Sequence, residues 1–144
     1  MRSTDSPLTT VIRVKGHLVK KAQRELAVLR VTREKEEGTL ESLEGRQSSA
    51  IHEAARKKRG RAVELQTGRA FIQTLSRKIE RQEARVREAT TREDGKRGEL
   101  VGHSQSKQMI TDIDKRRKVE SAKEKERRDQ RDIDAIAQRL RSES

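Results

Sequence analysis

The sequence predicts an all-α fold, a long antiparallel two-helix coiled coil in which helix two extends beyond helix one, on three observations. The first is the stretch FIQTLSRKIERQEARV, Phe71 to Val86, where Ile72, Leu75, Ile79, Gln82 and Val86 recur at steps of three and four. That spacing puts them on one stripe of a helix, with charged residues over the rest of the circumference. So narrow a stripe needs a partner helix. The second is composition: 29% apolar and 42% charged residues, one Phe, and no Trp, Tyr or Cys. Globular domains are nearer half apolar, so a thick core is excluded. The third is that Pro7 is the only proline, which leaves about 135 residues free of the strongest helix breaker.

Residues 1–6 are polar and 1–8 read as a flexible N-terminus, with Pro7 placed where a helix can begin and Thr9 or Thr10 as its cap. Helix one is expected over 9–58. Its seam runs Val11, Val14, Leu18, Ala22, Leu26, Leu29, then through Arg33 and Glu36 to Leu40, Leu43, Gln47, Ala50 and Ala54, a heptad-like register that its polar members weaken without moving. Gly16, Gly38 and Gly45 soften it by roughly 1 kcal/mol each relative to Ala. The stretch RKKRGRAVELQTG, Arg56 to Gly68, carries two glycines and five cations between Arg56 and Arg61, and the reversal is placed over 59–68. Helix two is expected to pair with helix one over 69–114, with Met109, Ile110 and Ile113 closing the seam around a frayed glycine patch at Gly95, Gly98 and Gly102. Val11 then pairs near Ile113.

Residues 115–144 form a basic amphipathic extension. Lys115 to Arg131 holds nine cations and four anions. Around it Val119, Ala122, Ile133, Ile136 and Leu140 resume the three-four spacing in a shifted register. Helix one has no length left to cover them, so Ile133 and Ile136 read as a docking surface.

The same residues bound the chemistry. His17, His52 and His103 lack metal-ligand spacing and a cysteine companion. GRQSSA at Gly45 has no Lys–Ser/Thr pair to make a phosphate loop, and Glu36–Glu37 and Glu93–Asp94 are adjacent, so each pair points in different directions. No catalytic, cofactor or metal site is expected, and the chain is not read as an enzyme. No apolar run reaches 18 residues and the first 30 lack a secretory signal, so a soluble cytoplasmic protein is expected, without direct membrane insertion. The net charge of +12 suits an acidic protein surface, anionic lipid or nucleic acid. Arg56 to Arg61 and Lys115 to Lys118 suit phosphates, but acidic residues dilute every basic block and neither block contains an aromatic for base stacking. Nucleic acid is therefore the alternative, and a protein partner with acidic surfaces the preferred reading.

Three segments carry a resemblance: VIRVKGHLVKKAQRELA (Val11 to Ala27), ELQTGRAFIQTLSRKIERQEARVREA (Glu64 to Ala89) and KRRKVESAKEKERRDQRDIDAIA (Lys115 to Ala137). Together they resemble the flagellar export protein FliJ family, with the stalk proteins of injectisome type III secretion next nearest. The resemblance implies an antiparallel coiled coil similar to a rotary ATPase central stalk, one that seats in the hexameric flagellar export ATPase, contacts the export gate protein and handles export chaperones. It also implies that Arg13, Lys15 and the basic stretch, including Arg116, Arg117, Arg127 and Arg128, lie at the ATPase end with Ile133 and Ile136. Phe71, Ile72 and Leu75 would lie near the export gate. The expected location is the cytoplasmic face of the inner membrane, held through the export apparatus. A structural adaptor of injectisome secretion is the other alternative.

Overall fold

The computed structural model describes residues 6–57 and 62–143. Among them are two helices, α1 (Pro7–Arg56) and α2 (Ala62–Glu143), packed as the predicted helical hairpin. Helix α1 starts two residues before the expected position. Ser6, not Thr9 or Thr10, is its cap: the Ser6 Oγ accepts from the Leu8 N–H at 3.1 Å, and Pro7 takes the first helical position, where its missing N–H costs nothing. Residues 62–68, expected in the turn, belong to α2. Glu64 in the first turn complements the helix dipole, and the Thr67 hydroxyl donates to the Val63 carbonyl at 2.9 Å within the helix. The rest of the expected turn, 59–61, lies outside the described residues.

The chain divides into two compact units, Lys20–Leu100 and Met1–Val19 with Val101–Ser144. In the first, every residue reached by alternating steps of four and three from Ala22 to Ala54 in α1 is buried or half-buried, and so is every residue reached the same way from Gly68 to Leu100 in α2. Its apolar core is thin: Ala22, Leu26, Leu75, Ile79 and Ala89. Polar seam residues complete the contact by pairing across it. Gln82 Nε2 donates to the Glu36 carbonyl at 2.9 Å and also to the Glu36 carboxylate. Gln47 Nε2 donates to Ser76 Oγ at 2.6 Å. Glu93, only 2% exposed, accepts from Arg33 Nε, with Arg97 at 3.0 Å and Arg30 at 3.8 Å. The seam positions that look like interruptions in either helix alone are complementary between the two.

Lys96 and Glu25 form one more cross-seam pair, with Nζ 2.6 Å from the carboxylate and 2.8 Å from Glu99. The hydrogen bond from Lys96 holds the Glu25 carboxyl below its ordinary pKa of 4.5. In turn Glu25, then Glu99, raises Lys96 above its ordinary 10.5. A lowered folded-state carboxyl pKa contributes stability that is fully present above 4.5 and lost as pH falls through the lowered value. A raised ammonium pKa contributes stability that is full below 10.5 and lost as pH rises through the raised value. Between these limits the pair is intact. Thermal melts should therefore fall on the acid side of 4.5, and Lys96→Met, which removes the cross-seam partner of Glu25 and leaves it Lys21 at 3.9 Å, should flatten part of that acid-side slope. An unchanged slope would show that other carboxylates carry it.

In the second unit the same strict alternation continues through Leu8, Ile12, Lys15 and Val19 of α1 and His103, Lys107, Ile110 and Asp114 of α2. This corrects the expected register at both ends. Val11 and Val14 are exposed, the latter at 52%, and Ile12 takes the seam. Met109 and Ile113 are exposed as well, and Ile110 and the carboxylate of Asp114 stand in the seam. The phase set by the long heptad run overrides the local choice of the more apolar neighbour. Gly95, Gly98 and Gly102 do not fray the helix: all three are exposed within continuous α2. Seam packing by their neighbours outweighs a propensity cost of roughly 1 kcal/mol per glycine.

Candidate docking surfaces

Beyond Asp114 the surroundings of α2 change. From Lys115 to Glu143 no described residue is buried, and all but Glu124 are exposed. Ile133 is 58% and Ile136 56% exposed, and Val119 and Leu140 are exposed with them. Local interactions hold this stretch: Glu124 pairs with Arg128 at 3.6 Å and Arg127 at 4.0 Å, Lys118 with Asp114 at 3.1 Å, and Gln130 donates to Asp134 at 3.1 Å. Arg116, Arg117, Arg127 and Arg128 are exposed. The same compact unit contains Arg13, exposed, and Lys15, half-buried because it occupies a seam position.

A second surface lies in the Lys20–Leu100 unit. Ala50 and Ala54, consecutive seam positions of α1, and Gly68 at the start of the α2 seam are small residues, and they line an open groove of about 690 Å³ together with Leu65 and Phe71. Arg46 and Lys57 stand at it with Glu53 and Glu64, so its rim carries both signs of charge. Of the three residues expected to face a gate, only Phe71, 53% exposed, presents substantial surface. Leu75 is 2% exposed and belongs to the seam, and Ile72 is half-buried. The groove was missed in the sequence, although three small residues at facing seam positions were the signal for it.

Among the described residues no group of three or more His, Cys, Asp or Glu is placed to hold a metal ion, and no helix is long and apolar enough to cross a membrane. Residues 4–144, nearly the whole chain, match the family model described as the flagellar FliJ protein. The chain belongs to the FliJ family. This makes it a component of the flagellar export apparatus, associated with protein transport. No curated protein and no solved structure matches it. Two-helix packing and an uncovered α2 extension are thus the physical equipment of this FliJ-family chain.

Proposed function

We propose that the chain is a non-enzymatic central-stalk component of the flagellar type III export apparatus. It seats in the hexameric export ATPase, promotes its assembly and activity, and couples it to the export gate and substrate chaperones. The observation that carries this reading is the extension: 29 residues of α2, 115–143, with an apolar stripe at Ile133, Ile136 and Leu140 that nothing in α1 covers. Apolar residues left uncovered beside exposed Arg side chains suit a protein surface, since apolar contact adds affinity and charge speeds docking and fixes orientation. Two non-identical helices present a different face to each subunit of a ring. They can therefore favour particular ring states by binding those states more tightly, without any hydrolysis of their own. The groove beside Phe71, in the other compact unit, is the surface we assign to the export gate.

Replacing Ile133 and Ile136 by Asp tests the reading. Both are exposed, so helicity by circular dichroism should hardly change. Affinity for the export ATPase should fall by a factor of at least ten, as expected for losing about 1.4 kcal/mol or more of apolar contact, and stimulation of ATP turnover should fall with it. Unchanged stimulation, together with sequence-selective DNA binding whose affinity drops steeply with salt, would replace the stalk by a nucleic-acid binder.

A further inference from the structure

The exposed stripe of the extension is not purely apolar. Taken at heptad steps it runs Val119, Ala122, Glu126, Asp129, Ile133, Ile136, Leu140, with two carboxylates in the middle of the seam. At 3.6 residues per turn it lies roughly 100° around α2 from the seam that ends at Asp114, so it is a separate face. Although cations surround them in sequence, neither Glu126 nor Asp129 takes part in any of the ion pairs of the described residues; Glu124 has captured Arg127 and Arg128. The two acids sit three residues apart on one helix face, where like charges repel.

We infer that this stripe takes a helix of a protein partner whose own seam is apolar at both ends and carries two adjacent cations in the middle, set against Glu126 and Asp129. The inference rests on the docking reading above and adds the chemistry of the partner. It also reverses the sign suggested by the net charge: the chain is basic as a whole, yet the part of the partner that lies on the stripe is basic too. Other occupants fit worse. A second copy in parallel sets Glu126 against Glu126 and Asp129 against Asp129. The antiparallel registers that pair these seams set Glu126 against the other copy's Asp129, or press both acids onto apolar residues, Ile133 and Ile136 in one register and Val119 and Ala122 in another. Burying unpaired carboxylates costs more than the apolar contact returns. A bilayer would have to accept the same two charges in the centre of the inserted face.

The sign of one charge change tests this. Replacing Glu126 and Asp129 by Lys adds two positive charges at each position and takes the chain from +12 to +16. If a general attraction between a basic chain and an acidic partner governed binding, the variant would bind the export ATPase more tightly. The stripe requires it to bind at least about ten-fold more weakly at unchanged helicity. Tighter or equal binding overturns the inference. Its fate is separable from that of the docking reading: if Ile133→Asp with Ile136→Asp abolishes binding while the Lys pair does not weaken it, only the inference falls, and if neither variant weakens it, both fall. A second probe is independent of the ATPase. Two synthetic amphipathic helices are titrated against the full chain, identical with Leu along the seam except for two central positions that are Lys in one and Glu in the other. The Lys helix should bind about ten-fold or more tightly than the Glu helix; equal affinities, or a preference for Glu, would overturn the assignment. So would sedimentation of the wild-type chain as a dimer through residues 115–143, or its recruitment to anionic phospholipid vesicles with Ile133 and Ile136 protected from solvent.

Discussion

Replacing Asp114 by Leu is expected to stabilise the hairpin by about 2 kcal/mol, the cost of a buried polar group left without a hydrogen bond. Asp114 is a seam residue, 5% exposed, and its Oδ1 is buried with no hydrogen-bond partner. Its other oxygen meets only Lys118, whose side chain is 65% exposed and returns to water when released. Leucine at this position continues the seam beyond Ile110 with an apolar side chain. Thermal and urea unfolding followed by circular dichroism should show a higher midpoint with unchanged helix content. A lower midpoint would mean that the carboxylate contributes through a partner the structure does not contain, and Asp114→Asn would then separate charge from shape.

The second large effect concerns Glu93. Substituting Ala removes the cross-seam acceptor of Arg33, which keeps its bond to Glu37 at 2.9 Å, and should cost about 1 to 2 kcal/mol, less than a fully buried pair because Arg30 and Arg97 are already half in water. Replacing Arg33 and Glu93 together by Leu should recover that loss and can exceed the wild type, since two well-packed apolar residues no longer need to be desolvated as charges. A cycle of Arg33→Leu, Glu93→Leu and the double variant is therefore expected to show a strong favourable coupling between the two positions. Additive losses would show that Glu93 is held by Arg97 within its own helix rather than across the seam. A gain in stability by the double variant has a second consequence: Arg33–Glu93 and Glu36–Gln82 also set the register. A slip of one heptad would bring Arg33 opposite Val86 or Leu100 instead of Glu93, so the paired layers penalise the misaligned hairpins that an all-Leu seam would tolerate.

The legible parts of the fold are those where three-four spacing persists over many turns. The seam from Ala22 to Ala54 and the stripe from Ile72 to Leu100 could be read directly, because a run of that length admits only one phase. The ends could not. Val11, Ile12 and Val14 offer three apolar residues within four positions, and only counting back from Ala22 in strict heptads selects Ile12. Near Asp114 the apolar neighbours Met109 and Ile113 suggested the wrong face, because hydrophobicity is a poorer guide than phase once the phase is established upstream. The exposed stripe at Ile133 and Ile136 was visible as spacing without a partner. The partners of Arg33, Glu36 and Glu93 were hidden for another reason: each is a property of two helices in register, and one chain read along its length does not contain that register. The groove beside Phe71 depends likewise on Ala54 and Gly68 being small at facing positions.

Helix α2 is one element by its hydrogen bonds, yet its two parts draw on different sources of free energy. From Gly68 to Asp114 each turn is anchored by burial in a seam. After Lys115 it rests on propensity and on pairs such as Glu124–Arg128, worth a few tenths of a kcal/mol each and weakened by salt. A helix sustained in this way has a shallow melting profile, and its one link to the seam-anchored turns is the continuous α2 backbone, which supplies its nucleus. Warming should therefore unwind residues 115–143 before the scaffold softens. Any complex formed through that segment then absorbs an ordering entropy that grows with temperature, and its assembly follows the medium through the helix–coil balance of one chain end.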